Sequence, residues 1–188
     1  TIDGGITEAD GTETIAAAYA ITPQIAGYAV YDSSNTAHET VACYNITSGK
    51  VVVAYEDVTD SSYGKAVVGT VSGDTISFGT PVNFSDTTAV GDAGITMSTV
   101  PGSAKVVIAW REGTASAAGG KGTSKVGTIS GTNISFGAET TFHAGWALPY
   151  RRQWNKMMVA DTTNNRVLLA YQGFGPDRDS SASTASCV

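Results

Sequence analysis

Aspartates are the residues of this 188-residue chain whose chemistry best suits catalysis or metal binding. They are Asp57 with Asp60, Asp92, and Asp177 with Asp179. Glycoside cleavage needs two carboxyl groups about 5 to 10 Å apart, one of them shielded from water, whereas calcium needs only converging oxygen ligands. Aspartate also favours turns, through hydrogen bonds to the nearby backbone, and we interpret all five as solvated turn residues. The sequence therefore predicts a protein that is not an enzyme and binds no metal or cofactor.

The two cysteines, Cys43 and Cys187, leave two interpretations open. Two unlinked thiols are the simpler one. A disulfide would instead tie the C-terminal region to an early strand and would imply an oxidising compartment. Neither interpretation supports structural zinc, which takes about four Cys or His ligands, because His38 and His143 lie far apart without ligand spacing.

The stretch from 143 to 154 holds two of the three tryptophans of the chain and two adjacent arginines. Its candidate binding residues are Trp146, Tyr150, Arg151, Arg152 and Trp154. Aromatic rings beside Arg side chains are typical of protein interfaces and of sugar-binding surfaces. Tryptophan also fills protein cores, so both Trp side chains could instead pack between structural units. We expect a protein interface here, with core packing and a host surface glycan as the alternatives.

The net charge of −6 argues against nucleic-acid binding, because neutralising phosphates requires an excess of Lys and Arg. Charged residues make up 15% of the chain, well below the roughly 25% of ordinary soluble domains. No apolar run approaches the roughly 20 residues that cross a bilayer. The sequence thus predicts neither a nucleic-acid partner nor a membrane span.

An internal repeat gives the strongest indication of how these residues are positioned. Residues 69–79 recur almost unchanged at 127–137, an offset of 58 residues, and both copies contain a Gly-Thr-(Val/Ile)-Ser-Gly turn. Residues 50–55 recur at 105–110 and at 166–171, each time as a basic residue, aliphatic residues, an Ala and an aromatic. That composition is typical of a buried strand, and fixed-period similarity is typical of repeat architectures. One unit is predicted to be four short antiparallel strands.

These units predict an all-β fold of antiparallel four-stranded repeats, arranged as part of a β-propeller, with a β-sandwich as the alternative. The predicted divisions are an N-terminal extension at 1–37, repeats at 38–91 and 92–149, and a partial repeat at 150–188. A partial unit leaves an unpaired strand edge, which proteins normally cover. We expect the segment from Thr12 to Tyr31 to pair with that edge, in the same chain or in a neighbouring one.

Residues 54–84 resemble a tandem repeat of tail-fibre-like virion proteins of marine bacteriophages. The resemblance is carried by Ala-Tyr-Glu-Asp at 54–57, Ser-Ser-Tyr-Gly at 61–64, the turn at 69–73 and Ile-Ser-Phe-Gly-Thr-Pro at 76–81. It implies an extracellular protein on a virion surface, such as a tail fibre, a knob or a head decoration protein. The implied partners are other virion proteins or further copies in a homo-oligomer. The alternatives are a secreted bacterial filament or matrix subunit polymerising by strand exchange and, more weakly, a carbohydrate-active propeller enzyme.

Overall fold

The computed structural model describes residues 29–33, 37–86, 89–112, 121–143, 146–148, 158–174 and 181–187; within these, side chains are not described for 91–93, 146–148, 172–174 and 181–187. The described residues form fourteen β-strands and no helix. The strands are β1 (Ala37–Asn45), β2 (Lys50–Asp57), β3 (Tyr63–Ser72), β4 (Thr75–Phe78), β5 (Val82–Asn83), β6 (Val90–Val100), β7 (Lys105–Glu112), β8 (Gly122–Ser130), β9 (Asn133–Phe136), β10 (Thr140–His143), β11 (Trp146–Leu148), β12 (Met158–Asp161), β13 (Arg166–Phe174) and β14 (Ser181–Cys187).

The strands form three antiparallel sheets built on one plan. The first sheet has the order β1-β2-β3-β4, with β5 also paired to β3. The second sheet has the order β6-β7-β8, and β8 pairs with both β9 and β10. In the third sheet β13 pairs with β11 and β12 on one side and with β14 on the other. The prediction of an all-β fold with antiparallel four-stranded sheets is confirmed.

The third sheet differs from the other two in its first strand. β11 pairs with the end of β13 and β12 pairs with its beginning, so two short strands take the place of the single strands β1 and β6. The first two sheets carry a register shift at the corresponding part of that strand, between His38 and Val41 and between Val90 and Ile95. The third sheet begins at Trp146, before the predicted start of the last unit at residue 150.

The repeated Gly-Thr-(Val/Ile)-Ser-Gly motif forms the predicted tight turn in both copies. Gly73 and Gly131 have φ angles of 56° and 62°, which residues with a Cβ atom rarely adopt. The strand that follows this turn in the first sheet is interrupted between β4 and β5. At this interruption Gly79 N–H donates to the carbonyl of Val68 at 2.9 Å, and Pro81 has no N–H to give to a ladder.

The two faces of each sheet differ, because side chains alternate along a strand. The alanine face carries the small residues Ala54, Ala109 and Ala170 of the three central strands β2, β7 and β13. The aromatic face carries Tyr55, Trp110 and Tyr171 of the same strands. Each face also holds aliphatic side chains, so every sheet has two apolar surfaces rather than one. This explains why the central strands are nearly continuous apolar runs.

Candidate functional site

The largest buried core among the described residues joins the alanine face of the first sheet to the aromatic face of the second. Val52 and Ala54 of β2 pack in one core with Ile108 and Trp110 of β7. Val52, Ala54 and Ile108 are completely buried and Trp110 nearly so. Burying an aliphatic side chain of this size stabilises a fold by about 1.5 to 3 kcal/mol. The contact therefore holds the two sheets together by apolar burial.

The second and third sheets meet through the same pair of faces. Val107 and Ala109, on the alanine face of β7, pack with Val167 and Leu169 of β13, and Tyr171 lies against this cluster. Val107 and Ala109 occupy the positions in β7 that Val52 and Ala54 occupy in β2. One interface is thus used twice in succession, with the alanine face of each sheet against the aromatic face of the next.

An aromatic side chain is inserted at the edge of each of these contacts. The ring centroid of Phe84 lies 5.0 Å from that of Trp110, and the centroid of Phe142 lies 4.9 Å from that of Tyr171. We call these inserted rings the wedges. Gly64 makes room for the first wedge, since a Cβ atom at Gly64 would overlap the Phe84 ring.

A third wedge lies on the first sheet. The ring centroid of Tyr31 is 5.1 Å from that of Tyr55 and 6.0 Å from that of Phe78. Phe84 makes the matching pair of contacts on the second sheet, at 5.0 Å from Trp110 and 6.1 Å from Phe136. Tyr31 therefore belongs to the repeat pattern, although it lies in the predicted N-terminal extension at 1–37. It packs on the first sheet; the remainder of the predicted pairing segment, 12–28, lies outside the described residues.

Asn45 joins the first two sheets at their turns. Its side-chain Nδ2 donates to the carbonyl oxygens of Ser103 and Lys105, both at 2.9 Å, and its Oδ1 accepts from the N–H of Ser48 at 2.8 Å. Asn45 is buried, so its amide depends on these partners. Asp161 holds the corresponding turn of the third sheet, where it accepts from the N–H groups of Thr163 and Asn164 in an exposed setting.

The two outer faces of the array lack a neighbouring sheet among the described residues. On the alanine face of the third sheet, 58% of Val159 and 36% of Leu168 are exposed, and Ala170 is also exposed. On the aromatic face of the first sheet, the central Tyr55 is completely buried and packs with Tyr31, whereas 58% of Tyr44 on β1 is exposed. The third alanine face is therefore open at its central strand, and the first aromatic face is open at β1.

A buried ion pair lies beside the first aromatic face. The Nζ atom of Lys65 is 2.7 Å from Asp57 Oδ2 and 2.9 Å from Asp60 Oδ2. Asp57 also accepts from the N–H and hydroxyl of Thr59. Burial pushes the pKa of Asp57 upward, but hydrogen bonds from Lys65 and Thr59 outweigh it and leave this pKa below its usual value. The interpretation of Asp57 as a solvated turn residue was wrong: it is buried, and Lys65 occupies the place between the two carboxylates.

The second sheet carries a different carboxylate pair at the corresponding corner. Buried Glu112 accepts from the Thr123 hydroxyl at 3.1 Å and lies 3.5 Å from Lys121 Nζ. Burial raises the pKa of Glu139, and the neighbouring Glu112 raises it further. Two carboxyl groups of this kind can share a proton, which is the arrangement that acid–base chemistry uses. Sequence reasoning missed this pair because Glu112 and Glu139 are 27 residues apart.

A cleft of about 480 Å³ lies between residues 29–33 and the first aromatic face. It is lined by Tyr31, Asp32, Tyr55, Lys65 and Phe78, among others. Burial raises the pKa of Tyr55 strongly, and the nearby Asp32 carboxylate adds to this. Tyr55 is therefore a neutral hydrogen-bonding group at any ordinary pH.

The structure brings few of the sequence-predicted site residues together. Trp146 lies in β11, paired with Phe174, and its side chain is not described. Tyr150, Arg151, Arg152, Trp154, Asp177 and Asp179 lie outside the described residues, and the Asp92 side chain does too. The interface or glycan site at 146–154 stays a prediction.

The cysteines and histidines lie in different sheets: His38 and Cys43 in the first, His143 in the second and Cys187 in the third. The Cys43 thiol packs against the first core, where burial raises its pKa to about 12. Cys187 lies in β14 opposite Leu168, and its side chain is not described, so the two interpretations, unlinked thiols and a Cys43–Cys187 disulfide, both stay open. Among the residues that the structure describes, no group of three or more His, Cys, Asp or Glu side chains could hold a metal ion.

The wedges are the contact residues between sheets that sequence reasoning missed. A signal was present, because each wedge precedes the aromatic residue of the following central strand by 24 to 29 residues.

Within the described residues no helix is long and apolar enough to cross a membrane.

Comparison with family models, with curated proteins and with solved structures gives no match.

Proposed function

We propose that this chain is a non-enzymatic structural protein of a bacteriophage virion, located at its surface or in an appendage. The observation that carries the proposal is the interface that is used twice, alanine face on aromatic face with an aromatic wedge. Such a chain is a stack of similar units that each bury a neighbour's face. Its role is assembly or host adhesion through many contacts of one kind rather than turnover of a substrate.

The propeller-like arrangement belongs to this proposal. Contacts between sheets involve the first strands above all, with β1 against β6 and β6 against β12. These contacts support a propeller-like arrangement, in which similar sheets stand around a common axis, with the β-sandwich as the alternative. The resemblance of residues 54–84 to repeats of phage tail-fibre-like proteins gives the virion setting and the extracellular location.

The second candidate is a carbohydrate-active propeller enzyme, and the Glu112–Glu139 pair is the observation that favours it. Burial and Glu112 raise the pKa of Glu139, which is the direction that a general acid requires. Against it, Lys121 and Thr123 already engage Glu112, as structural ion pairs do. Incubating the chain and its Glu139→Gln variant with mixed bacterial polysaccharides distinguishes the enzyme from the structural protein. An enzyme should release reducing ends, and the variant should release them at least about 10²-fold more slowly. A structural protein should release none.

The virion proposal is tested on particles. Phage purified on a density gradient should contain the chain in many copies, and antibodies against it should label one place on the particle in electron micrographs. The control is the same preparation from uninfected cells. A secreted bacterial filament would instead be found in the medium of uninfected cultures, and that result would overturn the virion proposal.

A further inference from the structure

We infer that the exposed alanine face of the third sheet binds the aromatic face of the first sheet in a second copy of this chain. This inference deepens the proposed structural role and rests on it. The contact would continue the series already present within one chain. The third sheet of one copy would be followed by the first sheet of the next, as the first is followed by the second.

The first argument is that the two outer faces are the two halves of an interface that the molecule already uses twice. Leu168 and Ala170 occupy the places that Val107 and Ala109 occupy in β7. Val107 and Ala109 are almost completely buried, whereas 36% of Leu168 is exposed. Tyr55 likewise corresponds to Trp110, which receives the alanine face of the preceding sheet. Tyr55 itself is buried and packs with Tyr31, so the open part of its face lies on β1. Each outer face therefore has a partner type within the chain.

The second argument is that the first sheet carries a wedge, Tyr31, although no neighbouring sheet lies over that face among the described residues. Phe84 and Phe142 each lie between two sheets, on the aromatic face of the later one. Tyr31 has the same position on the first sheet, and its hydroxyl is 3.1 Å from the Thr40 hydroxyl. The first sheet thus carries, on its aromatic face, the same kind of ring that lies against a neighbouring sheet in the second and third sheets.

The third argument is that the part of the first sheet most needed for contact is open. Within the chain, neighbouring sheets touch mainly through their first strands, and β1 is that strand in the first sheet. Tyr31 covers the region around β2 and β4, but Ala42 and Tyr44 of β1 are exposed on the aromatic face. Val159 of β12 is exposed in the same way on the third sheet. Two apolar surfaces of matching position are therefore available to each other.

A contact of this kind is head-to-tail, because two different surfaces meet. If rotation between copies closes, two chains of three sheets each form a ring of six sheets, within the usual range of about four to eight blades. If rotation does not close, a filament results. In either case each copy binds through the alanine face of its third sheet and is bound through the aromatic face of its first sheet.

The test uses two single-face variants of the full chain. Leu168→Asp places a charge on the alanine face of the third sheet, and Tyr44→Asp places one on the aromatic face of the first. Val58→Asp is the matched control, since Val58 is 39% exposed in the loop after β2 and lies on neither face. Circular dichroism should show that all three variants keep the β fold.

Sedimentation velocity then measures assembly. The unmodified chain and Val58→Asp should associate, while each face variant should weaken association on the order of 100-fold or more, because an unpaired charge would be buried. An equimolar mixture of Leu168→Asp and Tyr44→Asp should form a dimer and stop there. Each variant retains one intact face, and those two faces are complementary.

Two results would overturn the inference. One is a chain that stays monomeric up to about 1 mM, a concentration at which even contacts of about −4 kcal/mol are seen. The other is association that both face variants leave unchanged, which would place the contact elsewhere. A chain found in virions but monomeric in solution would overturn this inference and leave the proposed function standing.

Discussion

The alanine faces of the first and third sheets have nearly the same residues and opposite surroundings. Val52 and Ala54 of the first are fully buried under the second sheet, whereas Leu168 and Ala170, at the same positions of the third, are exposed. Both strands are central, with antiparallel neighbours on their two sides. The difference is therefore in what covers the face, and the comparison shows that the strand pattern defines an apolar surface without defining what lies over it.

A charge placed on each of the two alanine faces should give the largest difference between them. Val52→Asp is expected to lower the free energy of unfolding by about 4 kcal/mol or more, because a carboxylate would be buried without a partner. Leu168→Asp is expected to cost less than about 1 kcal/mol in the monomer, since its position reaches solvent. Urea unfolding followed by circular dichroism, at concentrations where the chain is monomeric, measures both.

Val52→Ala keeps this prediction measurable if Val52→Asp does not fold. That variant should still lose about 2 kcal/mol, from lost burial and the cavity left behind. The matched substitution on the third sheet is Val159→Ala, which should cost only a few tenths of a kcal/mol. Equal losses for Val52→Ala and Val159→Ala would mean that the third alanine face is covered in the isolated chain.

The wedges extend the comparison to the aromatic faces, with a smaller expected effect. Phe84 is fully buried between two sheets, so Phe84→Ala should cost about 3 to 4 kcal/mol of unfolding free energy. Tyr31 is only half-buried and lies against one sheet, so Tyr31→Ala should cost about 1 kcal/mol. Urea unfolding of the two variants and the unmodified chain gives both numbers. A larger loss for Tyr31→Ala would show that Tyr31 is as enclosed in solution as Phe84.

The sequence was sufficient to predict what lies within one sheet. Residues 50–55, 105–110 and 166–171 are three central strands as predicted, and the two Gly-Thr-(Val/Ile)-Ser-Gly copies are tight turns. These features are local, since they follow from strand periodicity and from the φ angles that glycine allows. The repeat also predicted that successive units would be alike, which the shared strand order confirms.

The contacts between sheets could not be predicted from the sequence. Tyr31, Phe84 and Phe142 share an aromatic ring but almost no flanking sequence, so a repeat search does not align them. The Glu112–Glu139 pair escaped for a related reason, since strand pairing rather than spacing brings its members together. Asp57 was misjudged because a loop aspartate next to a strand can be drawn into the core when a Lys on the adjacent strand pairs with it.

The ion pair at Asp57 differs from the apolar faces in that its contribution to stability depends on pH. Apolar burial does not depend on pH, so the faces contribute the same stabilisation in acid. The pKa of Asp57 is lowered in the folded chain, so the carboxylate stabilises the fold above its unfolded pKa of about 3.8 and ceases to do so as the pH falls through the folded value. The pKa of Lys65 is raised, so its contribution is complete below its unfolded pKa and is lost only in strong alkali.

Asp57→Asn should therefore lower the free energy of unfolding by about 2 kcal/mol at pH 7 and by clearly less near pH 3, where the unmodified chain has begun to lose the same charge. Unfolding by urea at both pH values gives the two differences. Val52→Ala is the control, since its cost should not change between pH 7 and pH 3. A cost of Asp57→Asn that is the same at pH 7 and at pH 3 would contradict this prediction, because it would mean that the charge of Asp57 contributes nothing to the fold.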